Sequence, residues 1–213
     1  MPINRAAAVM DSGSYFTANN AATGVATAAA PTAYSDTAPF CVITNTVGAG
    51  STGSGAKTMY LDWLRFYETA AGTAGVAMLL KAQLDNTVAT GGTLLVPKST
   101  NSNDGNASVA AIRLLPTGIA ASGNVRVIIG NHFVIPTQTT PLAVNTEVFI
   151  KFGGVDGFST VYTGAATAAV YSKMVYNWPP VAIGPGYALS LQHIITTQSA
   201  ASSWAFEFGW VEA

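Results

Sequence analysis

The chain has 213 residues, of which 49% are hydrophobic, and its 9 Lys and Arg residues nearly balance its 10 Asp and Glu residues, which leaves a net charge of -1. Charged residues make up 9% of the sequence, compared with about 25% in an ordinary soluble domain. The apolar content suffices for a packed core and excludes an intrinsically disordered chain. The neutral balance argues against a nucleic-acid partner, and the single cysteine excludes an internal disulfide framework.

The sequence predicts neither a membrane-spanning helix nor a signal peptide. The most apolar stretch, residues 70–80, is interrupted by Thr73 and ends at Lys81, which is too short for the ~20 residues that a membrane helix needs. The apolar segment between Arg5 and Asp11 is too brief for a signal peptide. We therefore expect no membrane partner. A chain with so few charges is expected instead to cover part of its surface with copies of itself or with a larger body.

Residues 1–35 are predicted to form an extended N-terminal arm. They are rich in Ala, Thr, Asn and Gly and have no apolar period of 2 or 3.6 over a useful length. Such a segment does not bury enough side chain to fold alone. We expect it to gain order by lying on another surface, with Tyr15 and Phe16 as candidate interface residues; a frayed terminus is the alternative.

Residues 36–213 are predicted to form one all-β domain, a jelly-roll-like antiparallel β-sandwich. Short apolar runs with period-2 alternation are separated by turn residues, such as Gly-Pro-Gly at 184–186, and this pattern is typical of a sandwich or a barrel. The predicted strands cover residues 39–46, 58–68, 125–129, 147–152, 170–176, 187–195 and 204–211.

Two segments carry mixed signals. Asp62, Arg65 and Glu68 are three residues apart, as on a helix, but the aromatic residues of 58–68 favour a strand, which is the prediction that we adopt. Residues 76–84 are similarly divided between helix and strand.

The C-terminal strand shows the clearest alternation. Trp204, Phe206, Phe208 and Trp210 share one face, and we predict that this aromatic face belongs to the core, with the first three side chains pointing inward.

The sequence offers no convincing catalytic, cofactor or metal site, so we expect that the protein is not an enzyme. Residues 50–58 (GSTGSGAKT) are reminiscent of a phosphate-binding loop, but Ala56 stands where the motif needs glycine before Lys57, and a strand rather than a helix is predicted to follow. His132 and His193 have no Cys or carboxylate at a metal-ligand spacing. Cys41 lies in an apolar run, where free cysteine behaves as a small hydrophobe.

Three stretches carry a family resemblance: residues 60–73, 179–186 and 204–212. In this order they resemble a family of tailed-bacteriophage virion proteins, which are β-sandwich subunits added to the outside of the head. The similarity covers residue 39 to the C-terminus and leaves the arm uncovered. It implies a trimeric jelly roll that decorates and cements the capsid, with the major capsid protein as its partner. The implied location is the outer capsid surface of the virion, after synthesis in the host cytoplasm.

Two functional hypotheses follow from the sequence. The favoured one is a decoration protein, and Trp178, Pro179 and Pro180 are candidate contact residues because the prolines hold a rigid chain beside a large aromatic; a plain turn packed on its own core is the alternative. The second is a head-fibre or tail-associated module that binds a host-surface glycan. Exposed aromatic clusters would favour the glycan, and ordered contacts from the arm to another chain would favour cement.

Overall fold

The computed structural model describes residues 14–20, 25–26, 33–48, 55–70, 77–86, 88–102, 107–120, 123–135, 146–153, 160–162, 173–196 and 203–213. These residues contain β-strands and no helix, so no helix among them could cross a membrane. The strands are β1 (Tyr15–Asn19), β2 (Val25–Ala26), β3 (Cys41–Asn45), β4 (Met59–Ala70), β5 (Ala77–Asp85), β6 (Val88–Thr90), β7 (Thr93–Leu95), β8 (Lys98–Ser99), β9 (Ala110–Leu114), β10 (Gly118–Ala120), β11 (Arg126–Ile135), β12 (Glu147–Phe152), β13 (Thr160–Tyr162), β14 (Lys173–Trp178), β15 (Ala182–Ile183), β16 (Ala188–Thr196) and β17 (Ser203–Glu212).

Two large sheets form a sandwich. The nine-stranded sheet has the order β13-β14-β12-β4-β17-β1-β8, with β15 added beside β4 and β2 beside β17. The six-stranded sheet has the order β11-β5-β16-β3-β9-β7, and β6 and β10 form a small separate pair. The prediction of an all-β sandwich is confirmed. One pair departs from the antiparallel pattern, because β12 and β14 run parallel; the 20 residues between Phe152 and Lys173 are long enough for the crossover that such a pair requires.

The core lies between the two large sheets. Trp204, Phe206, Phe208 and Trp210 of β17 are each exposed by 3% or less, which confirms the predicted inward face. Phe206 lies 5.6 Å from Phe40, ring centre to ring centre, so aromatic packing links the C-terminal strand to the residues that enter β3.

Part of the predicted arm belongs to the sandwich. Tyr15–Asn19 form β1, which pairs with β17 on one side and β8 on the other. Phe16 is 1% exposed and stacks on Trp210 at 6.0 Å. The expectation of an external arm is therefore wrong for these five residues: only Phe16 and Ala18 point inward, too few for an alternation to be visible. Residues 1–13, 21–24 and 27–32 of the predicted arm lie outside the described residues.

The segments with mixed signals are both strands, β4 and β5. In β4 the pairing register with β17 shifts between Trp63 and Leu61, so Asp62 is an extra residue in the strand. Leu61 and Leu64 are both buried although they are three residues apart. This shift, of the kind made by a β-bulge, puts Leu61 and Leu64 on the same face.

Candidate interaction surfaces

The outer face of the nine-stranded sheet carries aromatic side chains on three strands. Inward-pointing Leu64 and Phe66 of β4 are 1% exposed, whereas Trp63 is only partly buried, as are Phe149 on β12 and Tyr15 on β1. Phe149, Trp63 and Tyr15 follow one another across the sheet, and we call them the aromatic row. The Trp63 and Phe149 rings are nearly parallel, at 19°, with their centres 6.1 Å apart.

The indole of Trp63 is held in place from beneath and from the side. A Cβ atom on Gly209 of β17 would lie 2.3 Å from Trp63 Nε1 and 2.5 Å from Cε2, so the ring rests on a glycine backbone that no other residue could replace without displacing it. Trp63 Nε1 donates a hydrogen bond to the Tyr15 hydroxyl at 2.9 Å, and that hydroxyl donates to Asp62 Oδ2 at 2.7 Å. Burial, reinforced by the Asp62 carboxylate, raises the pKa of Tyr15, so the hydroxyl keeps the proton that it donates.

Charged groups of both signs surround the aromatic row. Arg65 and Glu207 form an ion pair at 2.6 Å, and Lys173 pairs with Glu147 at 3.1 Å. The Lys173 ammonium also lies 5.5 Å from the centre of the Phe149 ring, a cation–π distance. The outer face therefore presents flat apolar rings framed by hydrogen-bonding groups and by charges of both signs.

A second surface consists of exposed aliphatic side chains at the two edges of the six-stranded sheet. Leu94 of β7 and Val96 just after it are 50% and 66% exposed. Val125, directly before β11, and Val127 within it are 38% and 52% exposed. We call these four residues the aliphatic edges. Because β7 and β11 are the outermost strands of six, spaced by about 4.8 Å each, the two edges are roughly 24 Å apart.

The structure separates the five candidate interface residues predicted from the sequence. The side chains of Phe16 and Trp178 are each 1% exposed and belong to the core, which corrects their assignment as contact side chains. In β1 and β14 the apolar side chains pack into the core of the same chain. Tyr15 lies in the aromatic row. Pro179 and Pro180 are exposed immediately after β14, and a contact of these prolines with a partner stays a prediction.

The side chains considered for catalysis or metal binding are packed in the core or form an ion pair within the chain. Cys41 is fully buried, and burial raises the pKa of its thiol. Burial lowers the pKa of His193 to about 4, and its ring packs edge-on against Phe40 at 5.2 Å. Among the described residues no three metal-binding side chains converge. Lys57 forms a distant ion pair with Glu212 at 3.9 Å.

The buried carboxylate of Glu212 was not anticipated from the sequence. It accepts hydrogen bonds from the Ser108 hydroxyl, from the Val109 N–H at 3.1 Å and from Trp210 Nε1 at 3.0 Å. These partners come from the segment before β9 and from β17 itself. A carboxylate with this many donors ties the end of β17 to its neighbours, so we assign it a structural role.

The aromatic row was also missed, because it depends on the pairing of strands that are distant in sequence. One local signal was available: Gly209 interrupts an aromatic strand, and an isolated glycine in a strand often marks a close approach by another group.

Comparison of the chain with protein-family models, with curated proteins and with solved structures gives no match.

Proposed function

We propose that this chain is a structural subunit of a tailed-phage virion that binds the outside of the capsid as a trimer and stabilises it. The sequence resemblance supports this location. The aliphatic edges provide the main physical support, since each outer edge of the sheet carries two exposed apolar side chains two residues apart, and adjacent exposed apolar groups are suited to a contact with another protein. In this role the chain needs neither a catalytic residue nor a cofactor.

The position of the aliphatic edges favours a head-to-tail contact between copies. Leu94 and Val127 are on opposite edges of the same sheet, so the β7 edge of one copy can face the β11 edge of the next. A contact between two different surfaces closes into a ring when the rotation allows it, and three copies are the number that the resemblance implies. Each fully buried Leu or Val side chain contributes about 1.5–3 kcal/mol.

A ring of this kind suits a decoration protein. Capsid sites with three-fold symmetry offer an identical contact to each copy, so all three are held at once. Subunits that cover a seam stabilise the shell because the shell cannot open there without breaking the added contacts. The exposed Pro179 and Pro180 are our candidates for contact with the major capsid protein.

The location is tested by quantitative mass spectrometry of purified particles. Many copies per head support a decoration protein. A handful of copies would place the chain in a tail or a fibre, and the absence of the chain from particles would overturn a virion role altogether.

The ring is tested with two charge substitutions. Leu94→Lys and Val127→Lys should each give monomers in light scattering, because every contact in the ring uses both edges. Mixing the two variants should restore a single contact and give a dimer. Tyr60→Lys is the matched control, since Tyr60 is an apolar side chain 47% exposed on β4 of the other sheet, and its substitution should leave the trimer intact. The wild-type trimer should persist in ~1 M salt, which screens ion pairs but not apolar burial. A wild-type monomer contradicts the ring.

A glycan-binding module of a fibre or tail is the second candidate, and the aromatic row is the observation that favours it.

A further inference from the structure

We propose that the aromatic row is a carbohydrate site, in which a neutral pyranose ring packs on the exposed face of Trp63. This binding function is separate from attachment to a capsid and does not depend on it, because the row and the aliphatic edges lie on different sheets.

The row is rigid before any ligand arrives. Trp63 rests on Gly209, its Nε1 is bonded to Tyr15, and the Tyr15 hydroxyl is bonded to Asp62. Phe149, on the neighbouring strand β12, lies nearly parallel to the indole, with the two ring centres 6.1 Å apart. A ring that is already fixed loses little side-chain entropy on binding, so weak stacking contacts are not cancelled by an ordering cost.

The chemistry of the surface also suits a sugar. A pyranose has a face of C–H groups and a rim of hydroxyls, so it is bound well by a flat aromatic ring with hydrogen-bonding groups beside it. The Tyr15 hydroxyl donates a hydrogen bond to Oδ2 of Asp62. Asp62 Oδ1 has no partner among the described residues, so this oxygen can accept a hydrogen bond from a sugar hydroxyl. The Arg65–Glu207 pair, at 2.6 Å, offers both a donor and an acceptor.

The charge around the row favours a neutral ligand. Three carboxylates and four cationic groups lie on this outer face: Asp62, Glu147, Glu207, Arg65, Lys98, Lys151 and Lys173. Two of the carboxylates are already paired with cationic groups, and an anionic polymer would gain little from a frame so close to neutral. A neutral sugar loses nothing there and can use groups of either sign as hydrogen-bonding partners.

The chain contains its own reporter for this site. Trp178, Trp204 and Trp210 are each exposed by 1% or less, whereas Trp63 is partly exposed. A ligand that covers Trp63 should therefore change the tryptophan emission of the full-length protein while the other three indoles stay in the same surroundings.

The experiment is a titration of the full chain with neutral hexasaccharides of glucose, galactose and N-acetylglucosamine, followed by tryptophan emission and by calorimetry. We expect at least one of them to bind saturably with a blue shift. Trp63→Ala should weaken binding by about tenfold or more, the equivalent of ~1.4 kcal/mol, and Trp63→Phe, which keeps a flat ring, should recover part of the affinity.

Two further variants separate binding from folding. Gly209→Ala should weaken binding without removing any group that touches the sugar, because its methyl group must displace the indole. Tyr34→Ala is the matched control: Tyr34 is a partly exposed aromatic, bonded to Asn131 on the six-stranded sheet, and its loss should leave the affinity unchanged. Melting temperatures of all variants report whether each one is folded.

Two results would overturn the carbohydrate site. One is the absence of a change in emission and of heat with every saccharide. The other is evidence that the row is a contact between protein chains. Such evidence would be a shift of Trp63 emission with protein concentration in the absence of saccharide, or the loss of the trimer in Trp63→Ala. Neither result bears on the number of copies in the virion.

Discussion

The two faces of the nine-stranded sheet are both rich in aromatic side chains, yet they have opposite surroundings. On the inner face, Trp204, Phe206 and Phe208 are buried by 97% or more and pack among aliphatic and aromatic neighbours from the opposite sheet. On the outer face, Trp63 and Phe149 are partly exposed and lie among ion pairs. Aromatic content alone therefore does not identify a core; the neighbours across the strands decide whether a ring is packing material or a binding surface.

The largest expected effect comes from removing one ring on each face. Phe206→Ala should lower the free energy of unfolding by about 3–5 kcal/mol, because it leaves a cavity in the core. Trp63→Ala should lower it by about 1–2 kcal/mol, as expected for a partly exposed side chain. Urea unfolding of the two variants gives the comparison. Equal losses would mean that the outer ring is as much a part of the core as the inner one.

The inner face also packs against a titratable group, His193 of the opposite sheet, which gives an intermediate effect. His193 lines a small cavity of about 10 Å³ with Phe40, Phe66 and Phe206, and neither of its ring nitrogens has a hydrogen-bond partner in the described part of the chain. Burial lowers its pKa to about 4, from 6.5. The unfolded chain therefore binds a proton more readily, and stability is lost as pH falls from about 6.5 through 4, up to about 3 kcal/mol.

His193→Leu should remove this loss. At pH 7 the variant should be at least as stable as wild type, because the substitution replaces an unpaired polar ring with an apolar side chain. The measurement is the urea midpoint between pH 4 and pH 7 for both proteins. An unchanged pH dependence in the variant would assign the acid sensitivity to other groups.

The smallest expected loss of stability comes from a substitution on the outer face. Tyr15→Phe keeps the ring and deletes the hydroxyl, so Trp63 Nε1 and Asp62 Oδ2 lose the group that links them. We expect a loss of about 1 kcal/mol in the free energy of unfolding and a weaker response of Trp63 emission to saccharide. A variant with full stability and unchanged emission would show that the linkage does not hold the indole.

The sequence is informative where one strand carries its own pattern, and much less so where two strands must meet. The alternation in β12, β16 and β17 depends only on which side chains point to the core, so these strands were predicted. β1 was missed because only two of its side chains point inward and because its partner β17 is almost 200 residues away in the sequence. The aromatic row needs the register of β12, β4, β17 and β1 together, and no local pattern encodes that register.

The placement of β17 inside the nine-stranded sheet has a consequence for how the protein folds. β17 lies between β4 and β1, so the strands on its two sides do not pair with each other. The Thr69 hydroxyl, for example, bonds to the Ser203 carbonyl across 134 positions of the chain. During synthesis β1 and β4 are made first and must wait with an unpaired edge until β17 emerges. Because contacts that close such long loops form slowly, we expect the large sheet to be assembled late, by insertion of β17 between β4 and β1.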